Sequence, residues 1–311
     1  MLTILKESQG VLATLEKTEK DAWINVVNPT ELEVERLKKE FNVPDEFIQD
    51  ILDIDERSRL EVYGRWVMMI IRIPVHNPSA DLPFYTVPLG VLISPRTLIT
   101  ICLTDNEVLR DFTEHRIKTP QLSNKHTFVL HVFLRSATQY LKYLKEINRQ
   151  MSSMEKELQN KLKNEDLNIL LKMEKCLVYF VTSLKSNDLL LNRLQRFKIA
   201  ESGENDQNQH LLEDAFIETK QAIETAQIYS EITGSLMQNF NSLISNNLSV
   251  VMKQLTTVTT ILMIPTLVSG IFGMNLTSHI ESNPHAFFYV VGGIAALMIS
   301  TVLLFKFRKF L

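Results

Sequence analysis

The sequence predicts an α+β cytoplasmic domain, a mixed sheet with flanking helices and a long helical hairpin. A very long stalk helix and a two-helix transmembrane hairpin follow it. Three observations carry that prediction. Of the 52 residues between Lys253 and Lys306, only Glu281 carries a formal charge at neutral pH. Short β-branched segments bounded by Gly, Pro or Asn crowd the first 125 residues. From Thr127 onward, apolar residues recur at threes, fours and sevens, the period of amphipathic helices.

The N-terminal elements read in order. Trp23 to Val27 alternates as a strand and ends at the turn signal Asn28-Pro29. Thr30 then caps a helix over Glu31 to Phe41, with Leu32, Leu37 and Phe41 expected on its buried face. A second short helix is expected over Asp45 to Ile54. Strands are expected at Val62-Tyr63, Val67 to Ile73, Leu89 to Ile93 and Thr97 to Leu103. Leu130 to Leu158 and Leu170 to Leu194 give the two arms of a helical hairpin, with a polar turn from Asn160 to Asp166. Glu201 to Gln209 has no periodicity and reads as a loop. Leu211 to Met274 reads as one helix of about 60 residues, roughly 90 Å long, that needs lateral partners to persist.

Gln254 to Met274 and Ala286 to Phe305 each have about the 20 residues that a helix needs to cross roughly 30 Å of hydrocarbon. Lys253 precedes the first run, and Lys306, Arg308 and Lys309 follow the second, whereas the connector has neither Lys nor Arg. The positive-inside rule therefore places both termini in the cytoplasm and the connector outside, in a cell membrane. The expected boundaries are an α/β domain over 1–125, a helical hairpin over 126–205 and a cytoplasmic stalk over 206–253. A first span over 254–274, an outer loop over 275–285, a second span over 286–305 and a basic tail over 306–311 complete the chain.

Composition excludes several classes. With 45% apolar and 22% charged residues, disorder is not the main state. A net charge of -3 gives no footprint for nucleic acid. Cys102 and Cys176 are too far apart for a zinc ribbon or a CxxC pair and read as reduced core thiols. No GxxxxGK[ST] string, nucleophile elbow or convincing metal-ligand pair is present, so no enzyme is expected.

Counting back from Asn275 at helical spacing puts Gly270, Thr266, Met263, Thr259, Leu255 and Met252 on one stripe of the first span. Thr hydroxyls can touch a hydrated ion, Gly keeps a wall narrow, and Met and Leu can close a dry constriction by dewetting. The same stripe also reads as ordinary small-residue helix packing, and the residues alone leave both readings open. A membrane-anchored interaction protein is the competing class.

The span ends in Gly270-Ile271-Phe272-Gly273-Met274-Asn275, followed by one more span and a basic end. This arrangement resembles the CorA family of divalent-cation channels, the two-span Gly-Met-Asn proteins. The resemblance extends through Asn246, Met252-Lys253, Leu255-Thr256 and Pro265, and upstream to the acidic-Arg segment Asp53 to Tyr63. It implies a homopentamer in lipid whose first spans line one pore, with Gly273, Met274 and Asn275 as its selectivity mouth. It implies uptake of Mg²⁺, with Co²⁺ and Ni²⁺ as further candidates, driven by the membrane potential.

Because Mg²⁺ dehydrates reluctantly, a ring of Asn275 amide oxygens suits a filter that holds the hydrated ion by its water. Gly273 would let the chain turn at the mouth, and Met274 would anchor it by packing. The family is closed by cytosolic Mg²⁺ between subunits. Gap-free counting from the motif puts Asp214 at its regulatory aspartate, with Glu213 and Glu218 nearby and Asp81 as a guessed partner.

Many members follow the motif with an aromatic and a Met-Pro-Glu string. Here the connector differs, leaving Glu281 as the entrance acid in another register. His279 and His285 are either solvated loop residues or ligands that would favour Co²⁺, Ni²⁺ or Zn²⁺. A ZntB-like Zn²⁺ transporter is thus the alternative within the family.

Overall fold

The computed structural model describes residues 1–8, 11–114, 122, 124–158, 164–196, 206–274 and 285–308. The chain divides into two compact units, Met1–Leu236 and Met237–Leu311.

The first unit is built on a seven-stranded sheet. Its strands are β1 (Leu2–Ser8), β2 (Val11–Leu15), β3 (Trp23–Val27), β4 (Arg59–Tyr63), β5 (Trp66–His76), β6 (Phe84–Ile93) and β7 (Leu98–Cys102). Their order is β2-β1-β3-β7-β6-β5-β4, and every neighbouring pair is antiparallel except the parallel pair β3·β7. The mixed sheet expected from the sequence is therefore present. Two strands, β1 and β2, lie in the first fifteen residues, for which no element was expected.

One face of the sheet carries α1 (Glu31–Phe41) and α2 (Asp45–Leu52). Thr30 caps α1 in a reciprocal box: its hydroxyl accepts from the Glu33 amide, and the Glu33 carboxylate accepts from the Thr30 amide. Leu37 and Phe41 are buried as expected, but Leu32 is 81% exposed. Five residues separate Leu32 from Leu37, which turns its side chain about 140° away from theirs. Ile51 of α2 packs so closely on β6 that a Cβ at Gly90 would lie 2.3 Å from its methyl carbon.

The other face carries α3 (Glu107–Thr113), α4 (Lys125–Leu158), α5 (Asn164–Arg196) and the start of α6 (Asp206–Phe272). Trp23, Met69, Ile71, Ile73 and Leu89 meet Phe128, Phe133, Leu191 and Ala215 in one apolar cluster. Met68 and Ile70 point the opposite way, towards α1 and α2. Of the expected polar turn, Asn164–Asp166 belong instead to α5, and residues 159–163 lie outside the described residues. Likewise the loop expected up to Gln209 gives way to helix from Asp206, and 201–205 lie outside the described residues. Cys102 and Cys176 are buried and unbridged, and burial pushes the Cys102 thiol up to about 11.

The second unit consists of the end of α6 and α7 (Ala286–Phe307). The α6 helix is continuous for 67 residues and carries Pro265 in its interior. It ends at Phe272 rather than Met274. Within each of α6 and α7 lies a segment long and apolar enough to cross a membrane.

Candidate functional site

The end of α6 has two unlike faces. Thr257 is buried, and Thr260, Ile261, Ile264, Pro265 and Val268 are half-buried. On α7, Val290, Ile294, Met298, Thr301 and Phe305 form a matching half-buried stripe at spacings of three and four. These are the faces that an antiparallel helical pair turns inward.

The sequence-predicted stripe points elsewhere. Met252, Leu255 and Met263 are 52%, 59% and 63% exposed, and Thr259, Thr266 and Gly270 are exposed as well. At 3.6 residues per turn the stripe is about 80° wide, and its centre lies about 170° from the centre of the half-buried face. The threonines divide accordingly: Thr259 and Thr266 face outward, Thr257 inward, and Thr260 partly so.

The hydroxyls on the stripe share one polarity. Thr259 Oγ1 donates to Leu255 O at 2.8 Å, and Thr266 Oγ1 donates to Leu262 O at 3.1 Å. Thr256 Oγ1 similarly donates to Met252 O at 2.8 Å. Each hydroxyl hydrogen is thus engaged within the helix, and the oxygen lone pairs remain to accept. A Cβ added at Gly270 would meet nothing within 4 Å, so the fold of one chain does not demand glycine there.

At the C-terminal end of α6, Gly273 N donates to Ser269 O at 2.9 Å and Met274 N donates to Ile271 O at 3.3 Å. Gly273 does not adopt positive φ. Its missing side chain acts through space: a Cβ would lie 3.2 Å from Ser269 O. Met274 is 59% exposed rather than packed within its own chain. No basic residue occupies the last turn, so the negative end of the helix dipole is uncompensated there. Asn275, His279 and Glu281 lie outside the described residues; His285 is exposed and immediately precedes α7.

In the first unit, Asp214 and Glu213 are exposed and Glu218 is half-buried on α6. Asp81 forms an ion pair with Lys172 of α5 at 2.9 Å, which holds its carboxyl below the usual range. Among the described residues, no group of three or more His, Cys, Asp or Glu side chains could hold a metal ion.

Residues 19–309 match the family model described as "CorA-like Mg2+ transporter protein". The chain belongs to this family. It is 27% identical over 292 residues to the cobalt/magnesium transport protein CorA of Methanocaldococcus jannaschii, spanning 92% of this chain and 88% of that one. The complete structure of the CorA magnesium transporter from the same organism superposes with a TM-score of 0.82 at 23% identity, covering 98% of this chain and 97% of that one. The cytoplasmic domain of ZntB from Vibrio parahaemolyticus shares the fold at a TM-score of 0.61 and 12% identity, covering 79% and 98% of the two chains.

CorA-like proteins are transporters, not enzymes, and this one is a membrane protein with two candidate spans at its C-terminal end. The architecture expected from sequence, a sheet-and-helix body with a long helix and a C-terminal apolar helix, is that of the complete CorA structure.

Proposed function

We propose that this CorA-like chain assembles as a homopentamer in the cell membrane and conducts hydrated Mg²⁺ inward, with both termini in the cytoplasm. The α6 stripe from Met252 to Gly270 lines the pore, and Gly273, Met274 and Asn275 form its outer mouth. The observation that carries the reading is the outward face of α6. That face, exposed within one chain, carries Met252, Leu255, Thr259, Met263, Thr266 and Gly270 in one stripe about 80° wide.

Water molecules around a divalent cation point their hydrogens outward. A wall that meets them must accept hydrogen bonds, and Thr259 and Thr266 oxygens retain that capacity because their hydrogens are committed to Leu255 and Leu262. Five α6 C-termini converging at the mouth add a negative field that favours cations. Asn275 amide oxygens supply neutral acceptors that need not strip the ion. The membrane potential then drives entry with about 2.3 kcal/mol per charge per 100 mV, and roughly twice that for a divalent ion. Met252, Leu255 and Met263 supply the apolar rings at which the column of water can break.

The relatives' name supports Mg²⁺ and Co²⁺ as cargo. Regulation by cytosolic Mg²⁺ through Asp214 requires donors from a second copy, since one chain offers no cluster among its described residues. The decisive experiment is flux into liposomes that hold a Mg²⁺-sensitive dye, with Co²⁺, Ni²⁺ and Zn²⁺ as competitors. Uptake that rises with an inside-negative potential supports the reading; no flux at any internal Mg²⁺ concentration rejects it in favour of a membrane anchor.

A further inference from the structure

A cavity of about 550 Å³ opens on the first unit between residues 55–58, which follow α2, and the middle of α5. Its lining includes the acidic-Arg segment that the transport reading leaves without a role. Arg72 of β5 lies against it, only 9% exposed. The Arg72 guanidinium is held entirely by neutral oxygens: Ile54 O, Glu56 O at 3.0 Å, and Thr86 O and Oγ1 at 2.8 Å each. It makes no ion pair among the described residues, and burial pulls its pKa below the ordinary arginine value.

The nearby Asp53, Asp55 and Glu56 carboxylates favour its charge without touching it, and burial outweighs them. Two further cations, Arg57 and Lys185, line the same cavity, are exposed, and also make no ion pair among the described residues. Of the two acids in the lining, Glu56 is bound by Arg59, which leaves Asp55. The other wall is apolar: Val178, Tyr179 and Leu189 of α5 stand in the cavity and are exposed.

We propose that this cavity binds a nucleoside polyphosphate, with its phosphates between Arg57, Arg72 and Lys185 and its base against Tyr179 and Leu189. Cations beside an exposed aromatic and aliphatic wall match a ligand that is a polyanion at one end and a flat apolar ring at the other. Inorganic phosphate would leave the apolar wall uncovered. The volume falls in the range of about 300–1,000 Å³ typical of small-molecule sites. Asn187 couples the site to the fold: its amide donates to Arg72 O at 2.7 Å, while its Oδ1 accepts from Arg72 N at 2.9 Å and from Ser58 Oγ at 2.7 Å. A ligand here would tie the 55–58 segment, the sheet and α5 together.

The test is calorimetric titration of the full-length protein in detergent with ATP, inorganic triphosphate and adenosine, at constant free Mg²⁺. Saturable ATP binding is expected, at least about threefold tighter than triphosphate and tighter still than adenosine. The double variant Arg57→Ala/Lys185→Ala changes two exposed side chains and should weaken ATP about tenfold or more. Tyr179→Ala should weaken ATP while leaving triphosphate affinity unchanged. An unchanged melting temperature and Mg²⁺ flux in the double variant would show that fold and transport are intact. Absence of saturable ATP binding, wild-type ATP affinity in the double variant, or equal affinities for ATP and triphosphate overturns the assignment. So does tighter binding of an RNA oligonucleotide or of anionic phospholipid vesicles than of ATP.

Discussion

The two units of the chain treat the same residue types in opposite ways. In the sheet-based unit, Trp23, Ile70 and Phe128 are fully buried, whereas in the second unit Leu267 and Phe287 are 67% and 72% exposed. The first unit buries two large apolar clusters against its own chain, although Leu32 and Leu189 stay exposed. The second leaves large apolar side chains exposed on both of its helices. A defect in the first unit should therefore register as lost stability, and one in the second as lost transport.

The largest effect is expected at the mouth. Asn275→Ala should abolish selective Mg²⁺ uptake in the liposome assay while leaving assembled protein in the membrane; wild-type uptake would remove Asn275 from the filter. Gly90→Ala should break the other half of the comparison, because its new Cβ meets Ile51 at 2.3 Å. A cost of about 1–3 kcal/mol is expected for such overpacking, read as a lower melting temperature, with flux per folded protein retained. Equal melting temperatures would mean that α2 gives way freely.

Thr259→Val/Thr266→Val keeps the shape of the stripe but removes its acceptors, and should cut Mg²⁺ flux several-fold with no change in melting temperature. Unchanged flux would turn the stripe into mere packing. Asp214→Lys should alter the protection that Mg²⁺ gives the stalk against protease, and identical digestion patterns would exclude Asp214 from sensing.

The smallest expected effect is a pH slope. Burial, reinforced at His126 by Lys125, holds the His126 and His131 imidazoles below their ordinary 6.5. The unfolded chain then binds protons more readily than the folded one. The stability involved is complete above about 6.5 and is lost as pH falls through the lower folded values. Melting temperature should decline from about pH 7 to about pH 5, and less steeply in His126→Gln/His131→Gln.

Much of this was legible in the sequence where local chemistry and tertiary demand coincide. Thr30 and Glu33 announce the start of α1, and β5 to β7 announce themselves through β-branched runs. The loss of charge after Lys253 announces the hairpin. The first fifteen residues were missed because Leu2 to Leu15 alternate weakly, and their strands are stabilised by pairing with β3. Leu32 was misplaced because an apolar residue near an apolar stripe looks like part of it. The cavity at Arg72 left no sequence signal, since its cations come from residues 57, 72 and 185 and meet only when α5 packs on the sheet.

What the sequence determined by itself was periodic or additive: two candidate spans, the charge asymmetry around them, the stripe from Met252 to Gly270, and the alternation of the central strands. Only the tertiary structure decided the parallel pairing of β3 with β7, the need for glycine at position 90, and which face of α6 is left exposed. The physical reason is that helical and strand periods are properties of neighbouring residues, whereas burial belongs to pairs of surfaces far apart in the chain.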